Sequence, residues 1–154
     1  MVHEWTRGEY LVSTDRKRID VVTIHRFLSL SYWAAGIPLE VVERSIERSL
    51  PFGLYIFERQ IGFARVITDY ATFGYLADVF VLEEFRGKGL GGWLVEAVVS
   101  HPELQGLRRW MLATRDAHDL YRGAGFSPLK RPELWMERHY PNVYRAEAQR
   151  DASN

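Results

Sequence analysis

The feature that most constrains the fold is a glycine-rich loop between an apolar segment and an amphipathic segment. Residues 75–82 are almost entirely apolar and include β-favouring side chains, which predicts a strand buried on both faces. Four glycines stand within residues 87–92, and residues 90–100 carry apolar side chains at helical spacing. A strand, a glycine-rich loop and a helix in this order can cradle a phosphate group. Glycines let backbone N–H groups approach the anion, and the helix N-terminus favours its charge.

Two interpretations of this loop differ in where the motif starts. Residues 87–92 fit G-x-G-x-x-G, the pattern of dinucleotide-binding folds, but that pattern alone is weakly specific. Five residues, 82–86, separate Val81 from Gly87, whereas the dinucleotide pattern begins directly after a strand. Only about 60 residues follow the loop, which is too short for the several βαβ units of a dinucleotide fold. The sequence contains no G-x-x-x-x-G-K-[ST] P-loop.

The second interpretation starts one residue earlier, at an arginine. Residues 86–91 read Arg-Gly-Lys-Gly-Leu-Gly and fit the pattern [QR]-x-x-G-x-[GA]. In this motif and in its distance from the preceding strand, the sequence resembles the GNAT superfamily of acyl-CoA-dependent N-acetyltransferases. The resemblance implies that the loop holds the pyrophosphate of acetyl-CoA. The implied residues are Arg86, Gly87, Lys88, Gly89, Leu90, Gly91 and Gly92.

Length and composition favour one globular domain over residues 1–154, with a flexible polar tail over residues 145–154. Lys+Arg and Asp+Glu both number 20, so no nucleic-acid partner or membrane surface is expected. We find no long apolar run and no signal peptide, which makes a cytoplasmic location the default expectation. The chain has no cysteine, so thiolate metal sites and a cysteine nucleophile are excluded.

The predicted order of elements is β, α, α, β, β, β, α, β, α, β. Strands are predicted at residues 10–13, 54–58, 61–68, 73–82, 109–113 and 134–137, and helices at 19–32, from 39 until a break at 51–53, at 90–100 and at 116–124. This order resembles the GNAT fold over nearly the whole chain. The resemblance implies a single-domain α/β structure with a mixed, mostly antiparallel sheet. It also implies a parallel βαβ crossover and central strands that splay apart.

The resemblance also implies where the pantetheine arm of acetyl-CoA lies. In the family this arm pairs with exposed backbone of the strand before the loop, here Val79, Phe80 and Val81. A backbone N–H near Phe80 or Val81 is then expected to face the thioester oxygen. Many relatives carry an asparagine seven residues before a tyrosine that corresponds here to Tyr121. This sequence has Thr114 at that position, and its hydroxyl could replace the amide in a hydrogen bond to the pantetheine arm.

A proton donor is suggested by residues 120–126, Leu-Tyr-Arg-Gly-Ala-Gly-Phe. They resemble the L-Y-x-x-x-G-F segment of the family, in which the tyrosine often protonates the departing thiolate. A phenol with an ordinary pKa of about 10 is protonated at neutral pH, so Tyr121 can act as a general acid. The alternative is a tyrosine that only packs against the next strand.

Asp78 is the candidate for holding or deprotonating the amine. It stands in an apolar strand, where a carboxylate is costly unless it is paired, and several relatives carry an acid at this position. The alternative is a structural carboxylate bonded to the backbone or to Arg65. Strict strand alternation places Tyr75 on the opposite face from Asp78, unless a bulge intervenes. We expect Tyr75, Tyr32 and Trp33 to contact the acceptor.

These expectations favour an acetyl-CoA-dependent N-acetyltransferase that modifies a primary amine. The absence of cysteine favours direct attack in a ternary complex over an acyl-cysteine route. No metal is expected, because no clustered ligand motif occurs. The acceptor would be a small-molecule or peptide amine, and a homodimer is possible. The main alternative is a CoA-binding sensor that keeps the fold without transfer, and a nicotinamide-binding protein is a distant third.

Overall fold

The structure is a computed structural model, and it describes residues 1–145. The flexible tail predicted for residues 145–154 falls outside the described residues, apart from its first position. No helix in the described part of the chain is long and apolar enough to cross a membrane.

Residues 1–142 form six strands and four α-helices. The strands are β1 (Glu4–Arg7), β2 (Tyr10–Ser13), β3 (Leu50–Ile56), β4 (Arg59–Thr68), β5 (Phe73–Val81) and β6 (Arg109–Met111). The helices are α1 (Val21–Ser29), α2 (Leu39–Glu47), α3 (Leu90–Val99) and α4 (His118–Arg122). The strands form one sheet in the order β1-β2-β3-β4-β5-β6. Every neighbouring pair is antiparallel except β5 and β6, which are parallel and are joined through α3.

Helices cover both faces of the sheet because the central strands β3 and β4 carry buried side chains on both faces. One cluster packs α3 against the sheet and includes Phe52, Val66, Leu76, Leu94 and Val98. The other packs α1 and α2 against the opposite face and includes Ile24, Leu28, Val42, Phe63 and Phe80. The predicted mixed α/β sheet with a parallel crossover is therefore confirmed.

The middle of the sheet contains two irregularities that shape the site. Between the pairs Phe63–Phe80 and Arg65–Ala77, β4 contributes one residue and β5 contributes two, so β5 carries a bulge at residues 78–79. Strands β5 and β6 pair over only three positions, Phe73 to Tyr75, although β5 continues to Val81. The distal part of β5 therefore has one edge without a paired strand, which is the predicted splay.

The N-terminal half contains a strand that was not predicted and one that starts earlier than predicted. Strand β1 pairs with β2 through a two-residue Gly8-Glu9 turn, and Gly8 has φ 59°. Strand β3 begins at Leu50, so the predicted break at 51–53 is wrong. Pro51 fits within a strand because residues 50–52 lie beyond the pairing with β2 and have a neighbour only on the β4 side.

The strand predicted at residues 134–137 is also wrong. Within the described chain, Pro132–Leu134 forms a single 3₁₀ turn, and the sheet ends at β6. Met136 is 98% exposed, so this segment does not have the buried face that makes a β-favouring sequence form a strand. Instead, Trp135 packs under the guanidinium of Arg109, whose Cζ lies 4.6 Å from the ring centroid.

Candidate functional site

The loop between β5 and α3 presents unused backbone donors. Gly87 and Gly89 have φ of 80° and 75°, a region that side chains other than glycine rarely adopt. Gly89 is the N-cap of α3 and supplies no side-chain cap, so the first N–H groups of this ten-residue helix keep no side-chain partner. The exposed surface of residues 86–89 leaves these donors accessible. The site therefore favours an anion at the helix N-terminus.

The glycines of the first helical turn differ in what they contact. At Gly91 an added Cβ would lie 3.1 Å from Leu120 Cδ1, so this glycine allows α4 to pack closely on α3. At Gly92 an added Cβ would meet nothing within 4 Å, and the residue is exposed in a helix, where glycine costs about 1 kcal/mol relative to alanine. Packing thus gives no reason for glycine at residue 92, whereas close approach of a ligand does. The glycine cradle, which comprises residues 86–92, therefore fits a pyrophosphate group.

Three cations surround this cradle. Arg86 donates from Nε to the carbonyl of Val81 at 3.0 Å, which ties the loop to the end of β5. Lys88 Nζ lies 5.8 Å from the centroid of the Phe85 ring. The third cation, Arg7 at the end of β1, was not anticipated from the sequence because β1 itself was missed. Its guanidinium lies over Trp93 on α3, with Cζ 5.9 Å from the ring centroid.

The open edge of β5 has a defined set of backbone groups. The N–H of Leu82 donates to Ile61 on β4, and a Cβ added at Gly62 would lie 2.8 Å from the carbonyl oxygen of Phe80. Backbone groups of alternate residues point to opposite edges of a strand, so Val79 and Val81 point to the unpaired edge. Of the two positions predicted to face a thioester oxygen, the strand geometry favours Val81 over Phe80, whose side chain stacks on Phe27 at 4.0 Å.

Tyr121 packs against the α3 cluster, to which Val81 belongs, and lines a cleft of about 280 Å³ that also includes Thr114, His118 and Phe126. Burial raises the pKa of Tyr121 to about 12, with smaller contributions from the neighbouring Tyr32 and Asp116. Its hydroxyl makes no hydrogen bond to any of the described residues, so the proton is available to a ligand. Thr114 Oγ1 accepts from the N–H of Ala117 at 3.1 Å, which leaves its own O–H as a donor.

Asp78 occupies the bulge of β5 and has φ 54°. Its Oδ1 accepts from Trp33 Nε1 at 2.9 Å, and its Oδ2 accepts from Arg65 Nε at 2.7 Å. The Arg65–Asp78 pair is largely buried, with side chains 15% and 10% exposed. The sequence left open whether Asp78 acts on the amine or is a structural carboxylate bonded to Arg65, and the bond to Arg65 is present.

The bulge also decides the face on which Asp78 lies. Leu76 packs in the α3 cluster, and alternation then places Tyr75 on the face of α1 and α2. Strict alternation would put Asp78 with Leu76, but the extra residue of the bulge turns it to the face of Trp33. Asp78 and Tyr75 consequently share one face, which is the case foreseen for a bulge and not the one for strict alternation.

The connection between α1 and α2 forms an aromatic wall over this face. Tyr32 and Trp33 are 48% and 41% exposed, and their rings meet edge to face at 5.0 Å. The hydroxyl oxygen of Tyr32 accepts from the N–H of Arg115 at 3.1 Å, and the Arg115 guanidinium lies 3.9 Å from the Tyr32 centroid. These contacts bridge the α1–α2 connection and the β6–α4 loop. No local pattern pointed to Arg115, because it lies 83 residues from Tyr32 in the chain.

A second cleft, of about 710 Å³, lies outside β6 against residues 124–135. It contains none of the site residues predicted from the sequence. Among residues 1–145 no group of three or more His, Cys, Asp or Glu side chains is arranged to hold a metal ion.

Comparisons with known proteins agree with this geometry. Residues 51–128 match the family model of the acetyltransferase (GNAT) domain. A protein of Gibberella zeae, named as a candidate acetyltransferase, is 39% identical over 140 residues that cover 76% of this chain and 78% of the relative.

Two solved structures illustrate the range of similarity. A GNAT-family protein from Xanthomonas campestris pv. campestris is 52% identical, with a TM-score of 0.84, and the match covers 94% of this chain and 96% of that one. A predicted acetyltransferase from Clostridium acetobutylicum, solved with acetyl-CoA, is 16% identical with a TM-score of 0.62, covering 90% and 96% of the two chains. This second likeness concerns the fold alone. On the family model and the two closer relatives, the chain belongs to the GNAT family of acetyltransferases.

Proposed function

We propose that the protein is an acetyl-CoA-dependent N-acetyltransferase in which a primary amine attacks the acyl donor directly, in a ternary complex. One observation carries the proposal. A Cβ added at Gly91 of the glycine cradle would lie 3.1 Å from Leu120, the neighbour of Tyr121 in α4, and 3.9 Å from Val81 at the unpaired end of β5, so the cradle, this strand edge and α4 meet at one point. An anion site, backbone donors and a proton source are what acyl transfer from a thioester requires.

The cradle would anchor the donor through its pyrophosphate. The helix N–H groups at residues 90–92 and the side chains of Arg86 and Lys88 supply the positive potential. When bound, acetyl-CoA supplies an activated acyl group in the form of a thioester. The open N–H groups of Val79 and Val81 are the donors available to its carbonyl oxygen, and removing one such donor typically costs about 10²–10³ in rate.

Tyr121 would act as the general acid for the departing thiolate. Its raised pKa of about 12 keeps the phenol protonated over the whole physiological range. The ring is partly buried and lines the cleft beside α4, so its hydroxyl can be reached by a ligand.

The role of Asp78 follows from its bonds. Both of its carboxylate oxygens are already engaged, by Trp33 and by Arg65, so taking a proton from the amine would require giving up or sharing one bond. We therefore assign Asp78 to positioning: it holds the left-handed backbone of the bulge, which directs Val79 and Val81 to the open edge. The deprotonation role inferred from the family remains the alternative.

The acceptor would lie on the face formed by Tyr32, Trp33 and Tyr75. Two half-exposed rings favour a small-molecule or peptide amine that carries an apolar or aromatic portion. The Arg65–Asp78 pair adds no net charge to this wall, so a strongly polycationic acceptor is disfavoured.

Calorimetric titration of the ligand-free protein with acetyl-CoA, with NAD as the control, tests the donor assignment. Binding of acetyl-CoA without binding of NAD is expected. A panel of primary amines, followed by thiol release, then tests transfer. A folded protein that binds neither ligand would refute the proposal. Tight binding of CoA without turnover on any amine would favour the sensor alternative.

A further inference from the structure

We propose that Arg7, at the end of the N-terminal hairpin, is a ligand of the CoA pyrophosphate and forms a second wall of the anion cradle. This inference rests on the proposed use of acetyl-CoA. It assigns a binding role to a residue that lies 79 positions before Arg86 in the chain.

The position of Arg7 relative to the helix N-terminus supports the assignment. Its Nη1 lies 4.0 Å from the position that a Cβ would take on Gly89, the N-cap of α3. Charged nitrogen donors typically lie about 2.7–2.9 Å from the phosphate oxygens that they bind. Small rotations of the Arg7 side chain would therefore let its guanidinium and the first helix N–H groups bind the same anion. Arg86 differs from Arg7 in that its Nε already donates to the carbonyl of Val81.

The Arg7 guanidinium is available and oriented. Among the described residues no carboxylate lies within ion-pair distance of Arg7. Alternation along β1 puts Arg7 on the same face as Trp5, which packs into the α3 cluster. The Trp93 ring supports the guanidinium from the first turns of α3.

The hairpin that carries Arg7 is also well fixed. Strands β1 and β2 pair over four positions, from Glu4–Ser13 to Arg7–Tyr10, and β2 pairs in turn with β3. The arginine therefore approaches the cradle from the sheet rather than from a free terminus. This arrangement lowers the entropy cost of ordering the side chain on a ligand.

Titration calorimetry of the full chain with acetyl-CoA tests the inference with Arg7→Gln. We expect its Kd to rise about tenfold, the effect of losing one charge-assisted hydrogen bond of ordinary strength. Arg7→Lys should fall between the wild type and Arg7→Gln, because it keeps the charge and loses the planar fork. The matched control is Arg48→Gln, which removes an exposed arginine beside α2, on the opposite face of the sheet, and should leave Kd unchanged.

A second ligand separates the two kinds of phosphate in CoA. The loss caused by Arg7→Gln should be the same for CoA and for 3′-dephospho-CoA, since both carry the pyrophosphate. A loss confined to CoA would place Arg7 on the 3′-phosphate and overturn the assignment. Equal affinity of Arg7→Gln and wild type for acetyl-CoA would also overturn it, provided that their melting temperatures agree.

The outcome also distinguishes this inference from the proposed function. If the wild type binds acetyl-CoA and Arg7→Gln binds it equally well, only the Arg7 assignment is lost. If the wild type does not bind acetyl-CoA, the donor assignment itself fails.

Discussion

The two ends of the candidate site treat their polar groups in opposite ways. At the cradle, the first helix N–H groups have no side-chain cap, and exposed Arg7 makes no ion pair with any of residues 1–145. At the bulge, Asp78, Arg65 and Trp33 bond to one another and are largely shielded. One end is prepared to receive a charged ligand, whereas the other has already satisfied its charges.

This difference indicates that the cradle and the bulge contribute to function in different ways. Unpaired donors at the cradle gain their partners only from a ligand, so changes there should alter affinity. Paired groups at the bulge fix the shape of the backbone, so changes there should alter stability and the alignment of the reacting groups. Substitutions at the two ends should separate effects on affinity from effects on stability and alignment.

The largest effect is expected from Gly89→Glu. The new side chain would place a carboxylate at the helix N-terminus and strain a residue with φ 75°, so acetyl-CoA binding should fall by more than about 100-fold. The matched control is Gly106→Glu, because Gly106 has φ 78°, no protein atom within 4 Å of an added Cβ, and a position outside the cradle. Similar losses of affinity in both variants would attribute the effect to strain alone.

Tyr121→Phe should lower kcat about 100-fold, within the usual range for general acids, with little change in KM. Because the pKa of Tyr121 is raised to about 12, its deprotonation should not appear in the wild-type pH–rate profile below about pH 10. Stability should change little, since the hydroxyl has no hydrogen bond within the described chain. Tyr140→Phe, an exposed tyrosine, serves as the control. An unaltered kcat would remove Tyr121 from the mechanism.

Asp78→Asn should lower kcat/KM by about tenfold or less, against the roughly 10²–10⁴ expected for a lost general base. Asparagine tolerates the positive φ of the bulge and can still accept one hydrogen bond. The acidic limb of the pH–rate profile should keep its midpoint, and Arg65→Gln should give a similar rate. Loss of that limb in Asp78→Asn alone would instead identify the carboxylate as the base.

Asp78→Ala provides the corresponding test of stability. It leaves Arg65, only 15% exposed, without its partner, and such a change typically costs about 3–5 kcal/mol in the free energy of unfolding. Denaturant unfolding measures this loss. Unfolding at the wild-type midpoint would mean that the pair does not hold the bulge.

The smallest effect, and the most diagnostic, is expected from Gly92→Ala. The fold should gain up to about 1 kcal/mol, because alanine is the better helix former and its methyl meets no neighbour. Acetyl-CoA affinity should nevertheless fall a few-fold if the ligand approaches this backbone. Melting curves and calorimetry on one preparation measure both changes. A rise in stability without loss of affinity would move the ligand away from residue 92.

The same contrast explains what could be predicted from the sequence. The glycine loop is encoded locally, between a strand and a helix, and β5 and α3 were both predicted from the sequence on either side of it. The bulge depends on an extra residue in β5 relative to β4, which alternation within one strand does not reveal, so the face of Asp78 could not be decided from the sequence. The contact of Tyr32 with Arg115 joins residues 83 positions apart and left no local pattern.

Errors at the edges of the sheet have a common physical cause. Strand β1 is followed by a recognisable two-residue turn that contains a glycine, but the strand has only four residues and most of them are exposed. The segment 134–137 has strand-like residues but no neighbour to pair with among the described residues. Strand formation at an edge is decided by the partner rather than by intrinsic preference.

The gap between β5 and β6 has a consequence for the behaviour of the protein in concentrated solution. An unpaired strand edge is a template on which another chain can add its own backbone, which leads to aggregation. Beyond Tyr75, β5 presents such an edge, and no strand of the described chain covers it. A ligand arm that pairs with this edge would occupy its free backbone groups and so protect the native state from aggregation. We therefore expect the protein to scatter less light, and to survive storage longer, when it is kept with CoA.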